Sequence, residues 1–124
     1  MSGWQSEELE RIGAAEELEL ASARSDGTLR RPVTIGVMRH GDDLYVRSVY
    51  GRTSNWFRGT QERHEGHISA GGVDKDVQFV EAGDDMNDEI DAGYRTKYVS
   101  QPAAYVDPIV TPQARAATIK LVPL

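Results

Sequence analysis

The sequence predicts one small antiparallel β barrel, or a strongly curled sheet, with short helices set between its strands. Three observations carry this. Its 124 residues suffice for a single domain spanning residues 1–124 but not for two. Six short runs of alternating or β-branched residues are separated by glycine-bearing turns. The helical segments between them are too short and irregularly placed for a βαβ rhythm, and no internal repeat is present.

Taken in order, Ser2 or Ser6 caps a helix over residues 4–14, with Glu7 and Glu8 in its positive first turn and Leu9 and Ile12 facing a core. The segment ELELASA, residues 17–23, puts Leu18, Leu20 and Ser22 on one face and reads as the first strand, followed by a turn around Gly27. Pro32 disfavours helix at Arg31 and opens VTIGVMRH, residues 33–40, which reads as one strand. Gly41-Asp42-Asp43 then turns the chain into DLYVRSV, making a central hairpin. Thr53 or Ser54 caps a second helix through about Gln61, with Trp56 and Phe57 in its first turn.

Two further strands, residues 66–70 and 76–82, join through Gly71-Gly72, with Val77, Phe79 and Glu81 on one side. A third helix starts at Asn87 or Asp88. Its acids Glu89 and Asp91 lie near the N-terminus and Arg95 and Lys97 near the C-terminus, matching the helix dipole, while Ile90, Tyr94 and Tyr98 form the inner stripe. Pro102, Pro108 and Pro112 break up the connecting stretch beyond it, leaving one helical turn at residues 111–116 before the last strand, ATIKLVPL.

Composition narrows function. A net charge of −6 opposes the phosphate neutralisation on which nucleic-acid affinity depends, so nucleic acid is not an expected partner. No apolar run approaches the roughly 18 residues of a membrane span, and glutamates stand where a secretory leader would carry lysines, so a cytoplasmic protein is expected. The absence of cysteine removes disulfides, thiolate metal sites and cysteine nucleophiles together. Acids gather in residues 7–19 and 84–91, whereas arginines crowd the first half, leaving room for a local anion site.

That site centres on residues 30–58. If Val46 and Ser48 share one face of their strand, Tyr45 and Arg47 share the other. Arg47, helped by Arg30 or Arg31 and by the hydroxyls of Thr34 and Ser48, suits bidentate capture of a cofactor phosphate or a substrate carboxylate. The alternative for Arg47 is an internal ion pair with Asp91 or another acid of the third helix. Arg58 follows the same logic. Trp56 suits stacking on a planar ring or plain core packing, and Lys97 suits either the pocket rim or a helix C-terminus. His64 and His67 lie three apart but are split by Gly66 and lack a third ligand, so no metal is expected. AGDDMNDEID lacks the glycine and closing glutamate of a calcium loop. No nucleophile elbow or phosphate-binding glycine loop is present, so no catalytic residue is assigned.

Ser25, Gly27, Arg30 and Pro32, leading into the hairpin, resemble the split-barrel flavin proteins, the superfamily of pyridoxamine-phosphate-oxidase-like and deazaflavin-dependent nitroreductase-like proteins. The whole chain is also similar to a bacterial family of uncharacterised small proteins, through Tyr45-Val46-Arg47-Ser48, Trp56 and Arg58, Gly71-Gly72, and Tyr94-Arg95-Thr96-Lys97-Tyr98. The resemblance implies a six-stranded antiparallel split barrel with N-terminal, middle and late helices. It implies flavin mononucleotide or a deazaflavin held at a homodimer interface, and oxidoreductase chemistry on a small molecule. Two other readings stay open: a cofactor-free protein binding a small acidic ligand, and a structural dimer whose arginines form ion pairs.

Overall fold

The computed structural model describes residues 3–124. Helix α1 (Ser6–Ala14) begins after Gln5, whose backbone N–H donates to Glu8 Oε1 at 3.0 Å; the cap is therefore Gln5, Ser6 is the first helical residue, and Ser2 lies outside the described residues. Leu9 and Ile12 are its buried positions, as their spacing requires.

Seven strands follow: β1 (Leu18–Ser22), β2 (Val33–Ile35), β3 (Met38–His40), β4 (Asp43–Arg47), β5 (Glu65–Ala70), β6 (Val73–Glu81) and β7 (Thr118–Pro123). They form one antiparallel sheet in the order β2-β1-β5-β6-β7-β4-β3. The expected count of six becomes seven because the run 33–40 is two strands broken at Gly36-Val37. Val33–Ile35 pairs with β1, through Leu18↔Ile35 and Leu20↔Val33, while Met38–His40 pairs with β4, through Met38↔Tyr45. One chain segment thus supplies both edges of the sheet, and the hairpin expected at its centre lies at an edge. Tyr98 pins the break: its hydroxyl donates to Glu16 O at 2.6 Å and accepts from Val37 N at 3.4 Å. A Cβ on Gly36 would stand 3.3 Å from that hydroxyl, so the close approach favours glycine.

Gly71 and Gly72 both have positive φ, 57° and 83°, as a two-residue type I′ turn demands. Strand β6 therefore pairs from Val73 onward, opposite Ala70, three residues earlier than its alternation suggested. Leu18, Leu20, Leu44, Val46, Phe79 and Leu121 fill the barrel interior, closed by Leu9, Ile12 and Phe57 from the helices.

Helix α2 (Asn55–Arg63) ends at His64, which takes the left-handed conformation at φ 60°. Helix α3 (Asn87–Lys97) lies against β3 and brings Ile90 and Tyr94, with the adjoining Tyr98, onto Met38 and Tyr45. Two short helices, α4 (Ala103–Val106) and α5 (Pro112–Arg115), complete the chain. The second matches the expected turn, with Thr111 Oγ1 accepting from Ala114 N at 3.1 Å.

Candidate functional site

Strand alternation divides β4 between two environments. Leu44 and Val46 enter the barrel, whereas Tyr45 joins the outer cluster beneath α3 and Arg47 lies beside Tyr94 on that side. Arg47 has no exposed side-chain surface. Its Nε donates to Thr118 Oγ1 at 2.9 Å, Nη1 to Asp91 and to Ile109 O at 3.1 Å, and Nη2 to Asn87 O and Oδ1, both at 3.3 Å. Asp91 also receives Arg115, from Nη2 at 2.6 Å and Nε at 2.9 Å. Burial alone would raise the Asp91 carboxyl, but hydrogen bonds and charge from Arg115 and Arg47 outweigh it and hold the group below its ordinary value. The internal ion pair is the arrangement present: all three guanidinium nitrogens are committed within the protein. Arg47 contributes a wall rather than a free anion hook.

That wall belongs to a cleft of about 650 Å³. Val33, Thr34, Ile35 and Gly36 supply one side, and Val49 and Tyr50 follow β4. Trp56 comes from the first turn of α2, and Tyr105, Pro108 and Ile109 come from the segment around α4. The volume is that of a small-ligand site, and the lining is mainly apolar. Trp56 is half-buried, edge-on to the core residue Phe57 with ring centroids 6.2 Å apart, so its position is fixed by the barrel while part of its surface stays available.

Val33 and Trp56 also border a second depression, lined by Arg24, Arg30, Arg31 and Asn55, so these two side chains are common to both hollows. Arg30 is held there by Glu62 at 2.8 Å and by the carbonyls of Ala23 and Gly59 at 3.1 and 3.4 Å. Arg31 and Arg58 are exposed and have no side-chain hydrogen bond or ion pair among the described residues. Arg58 borders a shallower hollow with Arg30 and Asn55. Structure therefore gathers Thr34, Arg47 and Trp56 at the cleft and Arg30, Arg31 and Arg58 beside it.

Two expected members are elsewhere. Ser48, two residues beyond the inward-facing Val46, is fully buried and its hydroxyl pairs with that of Ser54 at 2.7 Å. Lys97 donates to Val37 O at 2.5 Å and lies 5.1 Å from the Tyr98 ring centroid. The hollows it borders share no residue with the cleft, and burial, opposed by Glu16, lowers its ammonium to about 8. Conversely, sequence reasoning missed Tyr50, Tyr105 and Ile109. A tyrosine between Pro102 and Pro108 was the available signal, since prolines hold such a segment in a fixed loop. His67 pairs with Asp76 at 2.9 Å and approaches Asp74 at 3.5 Å; among the described residues no group of three His, Cys, Asp or Glu side chains is placed to hold a metal.

An antiparallel half-barrel with helices over its ends and an apolar cleft beside the break between its edge strands defines the split-barrel class. The chain belongs to the family described as "Uncharacterized protein conserved in bacteria (DUF2255)", whose model matches residues 8–121. Among solved structures it is similar to an F420 reductase (15% identity, TM-score 0.61), covering 94% of this chain and 92% of that one. It is similar to an FAD and heme binding protein from Mycobacterium smegmatis (18%, TM-score 0.56), covering 94% of this chain and 64% of that one. A third is a pyridoxamine 5'-phosphate oxidase-related, FMN binding protein from Nostoc punctiforme PCC 73102 (16%, TM-score 0.50), covering 93% of this chain and 75% of that one. At these identities the likeness is one of fold. No curated protein matches the sequence. No helix among the described residues is long and apolar enough to cross a membrane.

Proposed function

We propose that this protein binds a flavin-type cofactor, flavin mononucleotide or a deazaflavin, and acts as an oxidoreductase on a small molecule. The observation that carries the reading is the placement of Trp56 and Val33, which line both an apolar cleft and a neighbouring groove bearing an unpaired guanidinium. A planar, uncharged ring fits the first compartment and a phosphate the second. The fold neighbours that are an F420 reductase, an FAD and heme binding protein and an FMN binding protein support it.

In this reading Trp56 and Val33 shield one face of the ring from water, and the exposed Thr34 hydroxyl offers a hydrogen bond at its edge. Arg31 holds the anionic tail, with Arg58 further along the groove. Arg30, clamped by Glu62, keeps the groove wall in place. Hydride transfer is the chemistry such a cofactor supplies when bound. Tyr50, 74% exposed at the cleft mouth, is apolar surface for a second copy to cover, so the working unit proposed is a homodimer. The setting proposed is cytoplasmic.

The test is a fluorescence titration with flavin mononucleotide and, separately, the deazaflavin cofactor. Saturable binding is expected, weakened about tenfold, ~1.4 kcal/mol, by Arg31→Ala. The melting temperature should be unchanged, because Arg31 holds nothing internally. No saturation with either compound would sink the redox reading.

A further inference from the structure

The cleft carries a charge that cofactor binding does not use. Two ionisable groups of strong charge line it, Arg47 and Glu17. Arg47 is buried and neutralised by Asp91, so it projects little field into the cleft. Glu17 immediately precedes β1, is exposed, and has no side-chain hydrogen bond or ion pair among the described residues. Its neighbour Glu16 differs on both counts: it accepts from Gln101 at 3.2 Å and lines another hollow. Aromatic residues Tyr50, Trp56 and Tyr105 line the same cleft. The Tyr105 phenol is raised first by burial and then by the carboxylates of Glu17 and Glu16, which puts the Glu17 charge within electrostatic reach of that ring.

An unpaired carboxylate beside several aromatic rings favours one kind of ligand. The ring faces are quadrupolar and negative, and the carboxylate carries a full negative charge, so both attract a cation and both repel an anion. The available positive charge lies past Trp56, on Arg31, in the adjoining groove. We infer that the Glu17 end of the cleft is a subsite for a small organic cation, an ammonium or protonated amine on an apolar body. As a statement of substrate class this rests on the proposed function; as a statement of binding it stands on the cleft alone. The two compartments thus sort charge, with anionic groups at Arg31 and cationic groups at Glu17.

Three probes that share a phenyl ring and differ in charge test it by calorimetry: benzyltrimethylammonium, benzyl alcohol and benzoate. The cation should bind most tightly to the unaltered protein. Glu17→Gln should weaken it about three- to fivefold, the scale of a partly exposed charge contact, while leaving benzyl alcohol unaffected. Glu19→Gln, an exposed carboxylate outside the cleft lining, should change neither. The inference is overturned if benzoate competes with the cation at equal affinity, if the cation is indifferent to Glu17→Gln, or if none of the three binds. Flavin titration of the same preparations separates the two proposals. Saturation by flavin together with any overturning result sinks the cation subsite alone, whereas absent flavin saturation sinks the redox reading and leaves the cation result to be judged by itself.

Discussion

Among the described residues two apolar clusters meet at strand β4, and they are stabilised differently. Inside the barrel, Leu44 and Val46 meet aliphatic and aromatic side chains while the sheet's own ladder satisfies the backbone. Outside it, Tyr45 meets a layer that includes Tyr94 and Tyr98, with the guanidinium of Arg47 5.9 Å from the Tyr94 ring centroid. Each polar atom there needs a specific partner: Tyr94 OH donates to Tyr45 O at 3.4 Å, and Arg47 engages four residues. No buried side-chain nitrogen or oxygen among the described residues lacks a partner. The lesson is that one strand separates a layer that depends on volume from a layer that depends on hydrogen-bond geometry, and the cleft draws on both, with Val33, Ile35 and Trp56 packed on the first and Tyr94 and Ile109 belonging to the second.

Breaking the first layer should have the largest effect. Phe79 is 2% exposed and fills the barrel beside Gly66, so Phe79→Ala should cost about 4 kcal/mol in a denaturant titration. Arg47→Ala should cost about 3 kcal/mol, because it leaves the carboxylate of Asp91 with one partner fewer in a buried site. A loss below about 1 kcal/mol would mean that the network is solvated and the contrast between the layers false.

Acid sharpens the same contrast. The folded-state value of Asp91 lies below that of the unfolded chain, so its contribution is complete above the ordinary carboxylate value of 3.8 and is lost as pH falls through the lowered folded value. Stability measured across that window should decline, and Asp91→Asn should flatten the decline. The smallest effect belongs to a pair in neither layer. Arg52 and Glu81 are 49% and 43% exposed, and Arg52→Ala should change stability by about 0.5 kcal/mol. A loss of about 2 kcal/mol there would show that contacts beyond the exposed ion pair matter, namely the hydrogen bond to Ala116 O and the Phe57 ring whose centroid lies 5.0 Å from the guanidinium.

Much of the barrel was legible in the sequence because its rules are local. The i, i+4, i+8 spacing of Ile90, Tyr94 and Tyr98 located the inner face of α3, and Gly71-Gly72 located the β5–β6 turn. The division of residues 33–40 was not legible. A β-branched run containing one glycine looks like a single strand, and only the hydroxyl of Tyr98, sixty-one residues beyond Val37, shows where it breaks. The candidate site was half-legible for a related reason. Arg31, Thr34 and Trp56 lie within residues 30–58, the stretch whose residue types stand out, whereas Tyr105 and Ile109 reach the cleft from a proline-interrupted segment with no periodicity to read. The hydroxyl of Ser48 groups it with Arg47, although alternation sets it on the face of Val46, and like Val46 it is buried.

The break at Gly36-Val37 also bears on how copies of this chain can meet. Each edge strand it creates is three residues long, and the two are joined to one another through the bend. An incoming chain would find only a short template of unpaired backbone groups on either side, too little for a stable added strand. Growth of the sheet from molecule to molecule is therefore disfavoured by the same bend that shapes the cleft, and the proposed homodimer would have to form through side chains such as Tyr50 rather than through the backbone.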